Sequence, residues 1–306
     1  MKVFDLHADL AIAIGKGSAD SVLKEQWHER FKQGEVVYTS AASFFRGDES
    51  WEDMQQTVRR VKKDIELSGA QRILDREDLK DDQKDIIYLM TAEGMCGIKD
   101  DPEEKIQWLY DQGNRIGSLE WNDENALATG NWGDPARGLT GLGRRAVKKM
   151  NELHMIVDVS HANEKTFWDI LDASELPVIA THSNAKKLCF VERNLTDQQM
   201  RALASKGGLI GMNACASFIH EEKEKRTAEN LAAHARYIAD LVGVSHVACG
   251  FDFGAYYKDE EEDYDIYGPE QTQNFINGLR KHGFSEEEIE MIAWKNVLRF
   301  LREYML

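Results

Sequence analysis

The fold this sequence predicts is α/β: a closed parallel (β/α)8 barrel of the TIM type, one domain over residues 1–306 with additional C-terminal helices. Three observations predict it. A chain of 306 residues fits one such barrel with modest insertions. Eight apolar runs of strand length, bounded by turn residues, lie at 3–10, 36–45, 86–93, 116–121, 155–160, 177–182, 208–214 and 246–253. Helical patterns separate most of them, at 51–67, 102–112, 141–153, 164–173, 197–205 and 228–242, and this alternation favours parallel pairing.

Taken in order, several elements announce their own boundaries. The first run, VFDLHADL, ends in polar residues at alternate positions, and the third, IIYLMTAE, stops at Gly94, where the chain must turn. The fifth and sixth, MIVDVSH and PVIATHS, each close on a histidine. Asn163 precedes the helix at 164, Thr196 the helix at 197, and Ser285 with Glu288 forms a capping box. Beyond the eighth run, 256–268 is acidic and aromatic; a solvated loop is the plain reading and a lid over the barrel mouth the sharper one. Two amphipathic helices follow, at about 270–281 and 286–304. No internal repeat or low-complexity linker interrupts the chain.

With 42% hydrophobic and 30% charged residues, the composition is that of a folded globular chain. A formal charge of −16 argues against nucleic acid as a partner, because phosphate backbones are held by clustered Lys and Arg. Cys96, Cys189, Cys215 and Cys249 are widely spaced, so neither a disulfide framework nor a Cys-based zinc site is expected. The N-terminus carries only Lys2 before Asp5, His7 and Asp9 break the apolar run, so neither a signal peptide nor a membrane anchor is expected, and a cytoplasmic location fits.

The chemistry concentrates at strand ends. His7 and Asp9 sit at i and i+2, so both side chains project from one face, with Asp5 two residues deeper. Buried bare acids and imidazoles are costly unless paired or metal-bound, and a hydrogen-bonded strand-end cluster is the plain alternative. Glu93, His161 and His182 end three further runs at the same edge of the sheet. Together the five form an N/O set suited to two Zn²⁺ or related ions that share a carboxylate and a water. Asp158 and Ser160 stand where partners of a ligating imidazole are expected. His28, His154, His220, His234, His246 and His282 lack this placement and read as structural or solvated.

The segments DLHADL, AEGMCGI, DVSH with ATHSNA, FVERNL and GFDFG carry a resemblance to the membrane (renal) dipeptidase family of zinc metallopeptidases, over roughly residues 4–253. The resemblance implies an amidohydrolase-like barrel that hydrolyses dipeptides with two zinc ions. It implies that His7 and Asp9 hold one zinc, His161 and His182 the other, and that Glu93 and a water or hydroxide bridge both. It places Arg193 on the free carboxylate of a dipeptide, which a guanidinium matches bidentately. Asp252 takes the acidic position that moves the proton and meets the substrate amine. Two positions depart from the family pattern. Trp121 stands where the mammalian enzymes carry a substrate-contacting histidine, leaving Asn122 as the nearest polar contact, and Gly254 stands where a second aspartate often appears.

The expected chemistry is attack by the bridging hydroxide on a peptide carbonyl, with Asp252 passing the proton to the leaving amine and Arg193 restricting turnover to short peptides, L,D-dipeptides among them. Two competing readings remain at the level of sequence. A lactonase or cyclic-amide hydrolase keeps the metals and needs no carboxylate anchor, whereas a non-catalytic barrel binds a small metabolite or peptide and uses the cluster for structure. Exposed Trp and Tyr near the acidic segment leave room for a homodimer surface.

Overall fold

A computed structural model describes residues 1–254 and 264–305. Its parallel ladder runs, in spatial order, through Ile156–Val157, Asn114–Ser118, Ile87–Glu93, Val36–Phe44, Val3–Asp5, Val247–Cys249 and Ile210–Met212. A two-residue strand, Gln71–Arg72, pairs alongside Ile87–Glu93. Segment 177–182 fills the gap between the ends of this path by two single parallel bridges, Asp158 with Ile179 and Ala180 with Ile210. The eight sequence-predicted runs therefore form one closed ring.

The ladders are shorter than the apolar runs suggest, chiefly at the C-terminal ends. The run at 3–10 forms a strand only over Val3–Asp5, that at 155–160 only over Ile156–Val157, and that at 246–253 only over Val247–Cys249. The reason lies in what satisfies the backbone there. At the mouth, buried side chains replace ladder carbonyls as acceptors: the Phe251 N–H donates to Asp5 Oδ1 (2.8 Å), that of Thr181 to Asp158 Oδ1 (2.9 Å) and that of His182 to Ser160 Oγ (3.1 Å).

Helices follow the strands largely where periodicity places them, as in Pro102–Gln112, Glu164–Ala173, Asp197–Ser205 and Ala228–Val242. Asn163, Thr196 and Ser285 each cap as expected, accepting from the N–H of Thr166, Gln199 and Glu288. Three short elements between the first two strands escape the sequence pattern: Leu10–Lys16, a π turn at Leu23–Trp27, and His28–Gln33. Their cap is remote in sequence. Buried Asp64, on helix Trp51–Ser68, accepts from the N–H groups of Val22 and Leu23, both at 3.0 Å, and from Ser21 Oγ at 2.9 Å. At the far end, Glu286–Glu290, a π turn at Met291–Lys295 and Asn296–Tyr304 run on as one helical rod. Fully buried aromatics, among them Phe4, Tyr38, Phe167, Phe251, Phe275 and Phe300, form the core. All four cysteines are buried, and no two of them form a disulfide. No helix among the described residues is long and apolar enough to cross a membrane. Most of the segment considered as a lid, 256–263, lies outside the described residues, while Tyr264 donates its hydroxyl to the carbonyl of Ala214 (2.6 Å).

Candidate metal centre

Five strand-end residues named from the sequence converge at the barrel mouth. His7 and Asp9 flank Ala8, which bridges to Phe253, and the Asp252 N–H donates to the His7 carbonyl at 3.0 Å. Asp252 is thereby carried to the same rim from the last strand. It does so with φ at +64°, in the left-handed region that a non-glycine residue rarely occupies. Gly254, two residues on, lies so close to the first strand end that a Cβ would sit 2.8 Å from Asp9 Cβ. A side chain there would displace Asp9.

Glu93 lies between two groups of imidazoles. Its Oε1 is 2.7 Å from His161 Nε2 and 3.6 Å from His182 Nε2, whereas Oε2 is 3.2 Å from His7 Nε2. His7 Nε2 is also 3.5 Å from Asp9 Oδ1 and 3.8 Å from Asp252 Oδ1. The two remaining imidazole nitrogens, His161 Nε2 and His182 Nε2, are 3.0 Å apart. Ligand atoms of His7, Glu93 and His182 form one compact group and those of His7, Asp9 and Asp252 another, all within 4.8 Å of one another in each.

The other ring nitrogens are already committed, which fixes the tautomers. His161 Nδ1 lies 2.9 Å from Asn122 Oδ1, an acceptor, so the proton sits on Nδ1 and Nε2 keeps its lone pair. His182 Nδ1 lies 2.8 Å from Thr181 Oγ1, which in turn donates to Asp158 Oδ2 at 2.6 Å. Asp158 thus orients His182 through a hydroxyl, with Ser160 bound to its other oxygen. Asn122 meets His161 from the wall of the cleft, and Trp121 stands beside it, its ring 6.0 Å from that of His161. Thr181 and Asn213 bond directly to residues of the centre, and the sequence reading missed both. Asn213 donates to Asp252 Oδ2 (3.2 Å) and to the His182 carbonyl (3.3 Å), and, as a polar residue at the end of the seventh run, it carried the same signal as the ligands.

Arg193 is buried and reaches the centre from the loop after segment 177–182. Its Nη1 donates to the Ser160 carbonyl, and Nη2 lies 3.1 Å from His161 Nε2. The guanidinium also lies over the Phe218 ring, 5.6 Å from its centroid.

Acidic and imidazole groups crowd one another at the site. Burial would lower the His7 pKa, but Glu93, Asp9 and Asp252 around it hold it well above its ordinary value. Burial and then Arg193 push His161 down to about 4, and burial with the neighbouring His7 holds His182 well below the usual range. Burial and Glu93 raise Asp9 to about 6, while burial and Asp9 raise Asp252 well above the carboxylate range. Burial would raise Glu93, but the surrounding His7 and His161 hold it well below. Burial and crowding thus drive Asp9 and Asp252 toward the neutral acid even with His7 and Arg193 close by, and a bound cation is the natural counter-charge that would keep them ionised.

The donor set fits a divalent metal. His7 Nε2, Asp9 Oδ1 and Glu93 Oε2 are buried with no hydrogen-bond partner, an arrangement that is costly for polar atoms unless an ion takes their lone pairs. Imidazole nitrogen and carboxylate oxygen are the ligands that Zn²⁺ and related ions accept.

Comparison with known proteins identifies a family of metal-dependent peptidases. A sequence model described as "Membrane dipeptidase (Peptidase family M19)" matches residues 1–305. A Klebsiella pneumoniae protein described only as lying in the pqqA 5′ region is 35% identical over 240 residues, covering 75% of this chain and 87% of its own length. Dipeptidase tcpJ of Claviceps purpurea is 34% identical over 166 residues, 54% of this chain and 38% of the fungal one. Among solved structures, a dipeptidase of the same family superposes with a TM-score of 0.88 at 22% identity, covering 99% of this chain and 98% of its own. A metallopeptidase from Rhodobacter sphaeroides, liganded with a phosphinate mimic of L-Ala-D-Ala, superposes with a TM-score of 0.87 at 22% identity, covering 100% and 99% of the two chains. The chain belongs to the membrane dipeptidase family, peptidase family M19, and is a metal-dependent hydrolase of peptide bonds.

Proposed function

We propose that this protein hydrolyses free dipeptides, L,D-dipeptides among them, with two zinc ions: one on His7 and Asp9, one on His161 and His182, and Glu93 between them. The observation that carries the proposal is the division of Glu93, whose Oε2 faces His7 and whose Oε1 faces His161 and His182. When bound, the ions supply an activated water and polarise the scissile carbonyl.

The remaining work falls to the chain's own side chains. Arg193, steadied by the Ser160 carbonyl through Nη1, presents Nη2 to the C-terminal carboxylate of the dipeptide. Asp252 uses Oδ2 to accept from Asn213, which leaves Oδ1, 3.8 Å from His7 Nε2, to hold the proton delivered to the leaving amine. Asn122 and Thr181 keep the Nε2 lone pairs of His161 and His182 aimed inward. All of these groups but the half-buried Asp252 are buried, which limits contact with bulk water and strengthens the electrostatic contacts among them.

The test is metal analysis and dipeptide turnover of the purified protein before and after chelation. Two equivalents of zinc per chain, turnover lost on chelation and restored by Zn²⁺, is the expected outcome. Full turnover by the metal-free protein refutes the mechanism, and a single tightly held equivalent refutes the shared-carboxylate arrangement.

A further inference from the structure

One large apolar side chain at the mouth is conspicuously out of place. Trp132 is 67% exposed, yet it is not on a loose loop. Its backbone N–H donates to the Asn122 carbonyl at 2.7 Å, and that of Asn131 to the His161 carbonyl at 3.1 Å, so the main chain that carries the indole is fixed relative to a residue of the centre. The turn that achieves this needs glycine at 130, where a Cβ would meet the Trp121 carbonyl oxygen at 1.8 Å. Trp132 stands edge-on to Trp121 (centroids 5.5 Å, planes at 65°), and Trp121 edge-on to Phe44 (5.0 Å, 77°). These three rings form a continuous wall. Together with Arg193, Phe218 and the centre they line an open cleft of about 580 Å³.

Water-exposed indole surface on an anchored turn beside a reaction centre is surface available to a ligand's apolar group, since aromatic faces gain most when covered. Its place in the cleft selects which group. Arg193, the carboxylate anchor, and Trp121 both adjoin His161, whereas Asp252, which lines the same cleft, also borders a second hollow lined by Cys215, Phe251, Phe253 and Tyr264. A residue whose carboxylate sits on Arg193 has its side chain within reach of the Trp121–Trp132 wall.

We propose that Trp132 is a specificity-determining residue, which with Trp121 and Phe44 selects dipeptides bearing a large apolar or aromatic C-terminal side chain. This rests on the dipeptidase reading above and deepens it to a substrate class.

The experiment compares L-Ala-L-Phe, L-Phe-L-Ala and L-Ala-Gly on the zinc-loaded protein and on Trp132→Ala, Trp132→Phe and Trp121→Ala. The ratio of kcat/KM for L-Ala-L-Phe to that for L-Ala-Gly is expected to fall about tenfold in Trp132→Ala, the effect of uncovering about half a phenyl ring, and to recover in large part in Trp132→Phe. Calorimetric titration of chelator-treated protein gives a readout free of turnover: L-Ala-L-Phe binds more tightly than L-Ala-Gly, and Trp132→Ala removes the difference. A ratio unchanged within about twofold in Trp132→Ala overturns the proposal. A fall confined to L-Phe-L-Ala overturns the assignment to the C-terminal side chain. Wild-type protein that turns over none of the three dipeptides overturns the dipeptidase reading itself, which separates that failure from failure of the wall.

Discussion

His234 offers a test of how the Arg193 loop is held. It lies on helix Ala228–Val242, 1% exposed, with both ring nitrogens engaged: Nδ1 accepts from the Ala185 N–H at 3.1 Å and Nε2–H donates to the Ile219 carbonyl at 2.9 Å. Only the neutral ring can do both, because a proton on Nδ1 would face the Ala185 N–H. Burial accordingly pushes its pKa down to about 4 from an ordinary 6.5. Between these values the unfolded chain binds a proton that the folded chain refuses, so the stability His234 contributes is complete above pH 6.5 and lost as pH falls toward 4. A gap of about 2.5 pH units, at about 1.4 kcal/mol per unit, amounts to roughly 3 kcal/mol. The perturbation is His234→Gln, which does not titrate and keeps one acceptor and one donor. Urea unfolding of the metal-stripped proteins at steps from pH 7.5 to 4 measures the difference between them, so that every other titrating group cancels. Wild-type stability relative to the variant should fall by roughly 3 kcal/mol between pH 6.5 and 4 and stay level above that interval. Parallel curves over the whole range refute the assignment of a buried neutral imidazole.

Two further outcomes follow from the site. Arg193→Ala should raise KM for free dipeptides by about 100-fold, the loss of a charge-assisted contact of roughly 3 kcal/mol, and raise KM for their C-terminal amides far less. Equal losses on both remove Arg193 from the carboxylate. Thr181→Val keeps the shape of the side chain but breaks the link from Asp158 to His182. It should weaken zinc binding about 10- to 100-fold in chelator competition, and unchanged affinity shows that His182 is oriented by other contacts.

Much of the centre was legible because a strand alternates its side chains: His7 and Asp9 had to share a face, and an apolar run closed by a histidine or glutamate had to deliver it at the rim. What could not be read are contacts between distant positions. Nothing near residues 22 and 23 signals that Asp64 caps the turn there. Thr181 looks like an ordinary strand residue until Asp158 is placed beside it. Glu120 is similar: it is fully buried with neither carboxylate oxygen partnered, and burial and then Asp158 raise its pKa well above the usual range. Trp132 follows a loop with no periodicity, and only the fold brings it against Trp121. Strand ends were overestimated for a related reason, since hydrophobicity continues through positions where a side-chain acceptor has taken over from the ladder.

The bond from the Phe251 N–H to Asp5 Oδ1 joins residues 246 positions apart, and Ala8 meets Phe253 beside it. The first strand therefore cannot gain one of its two neighbours until almost the whole chain is available, and contacts of such separation form late because a long loop must close before they stabilise anything. His7 and Asp9 reach Asp252 only at that closure. The meeting of Asp252 with His7 and Asp9 is thus the final event of folding, and it should lag the appearance of helical circular dichroism during refolding.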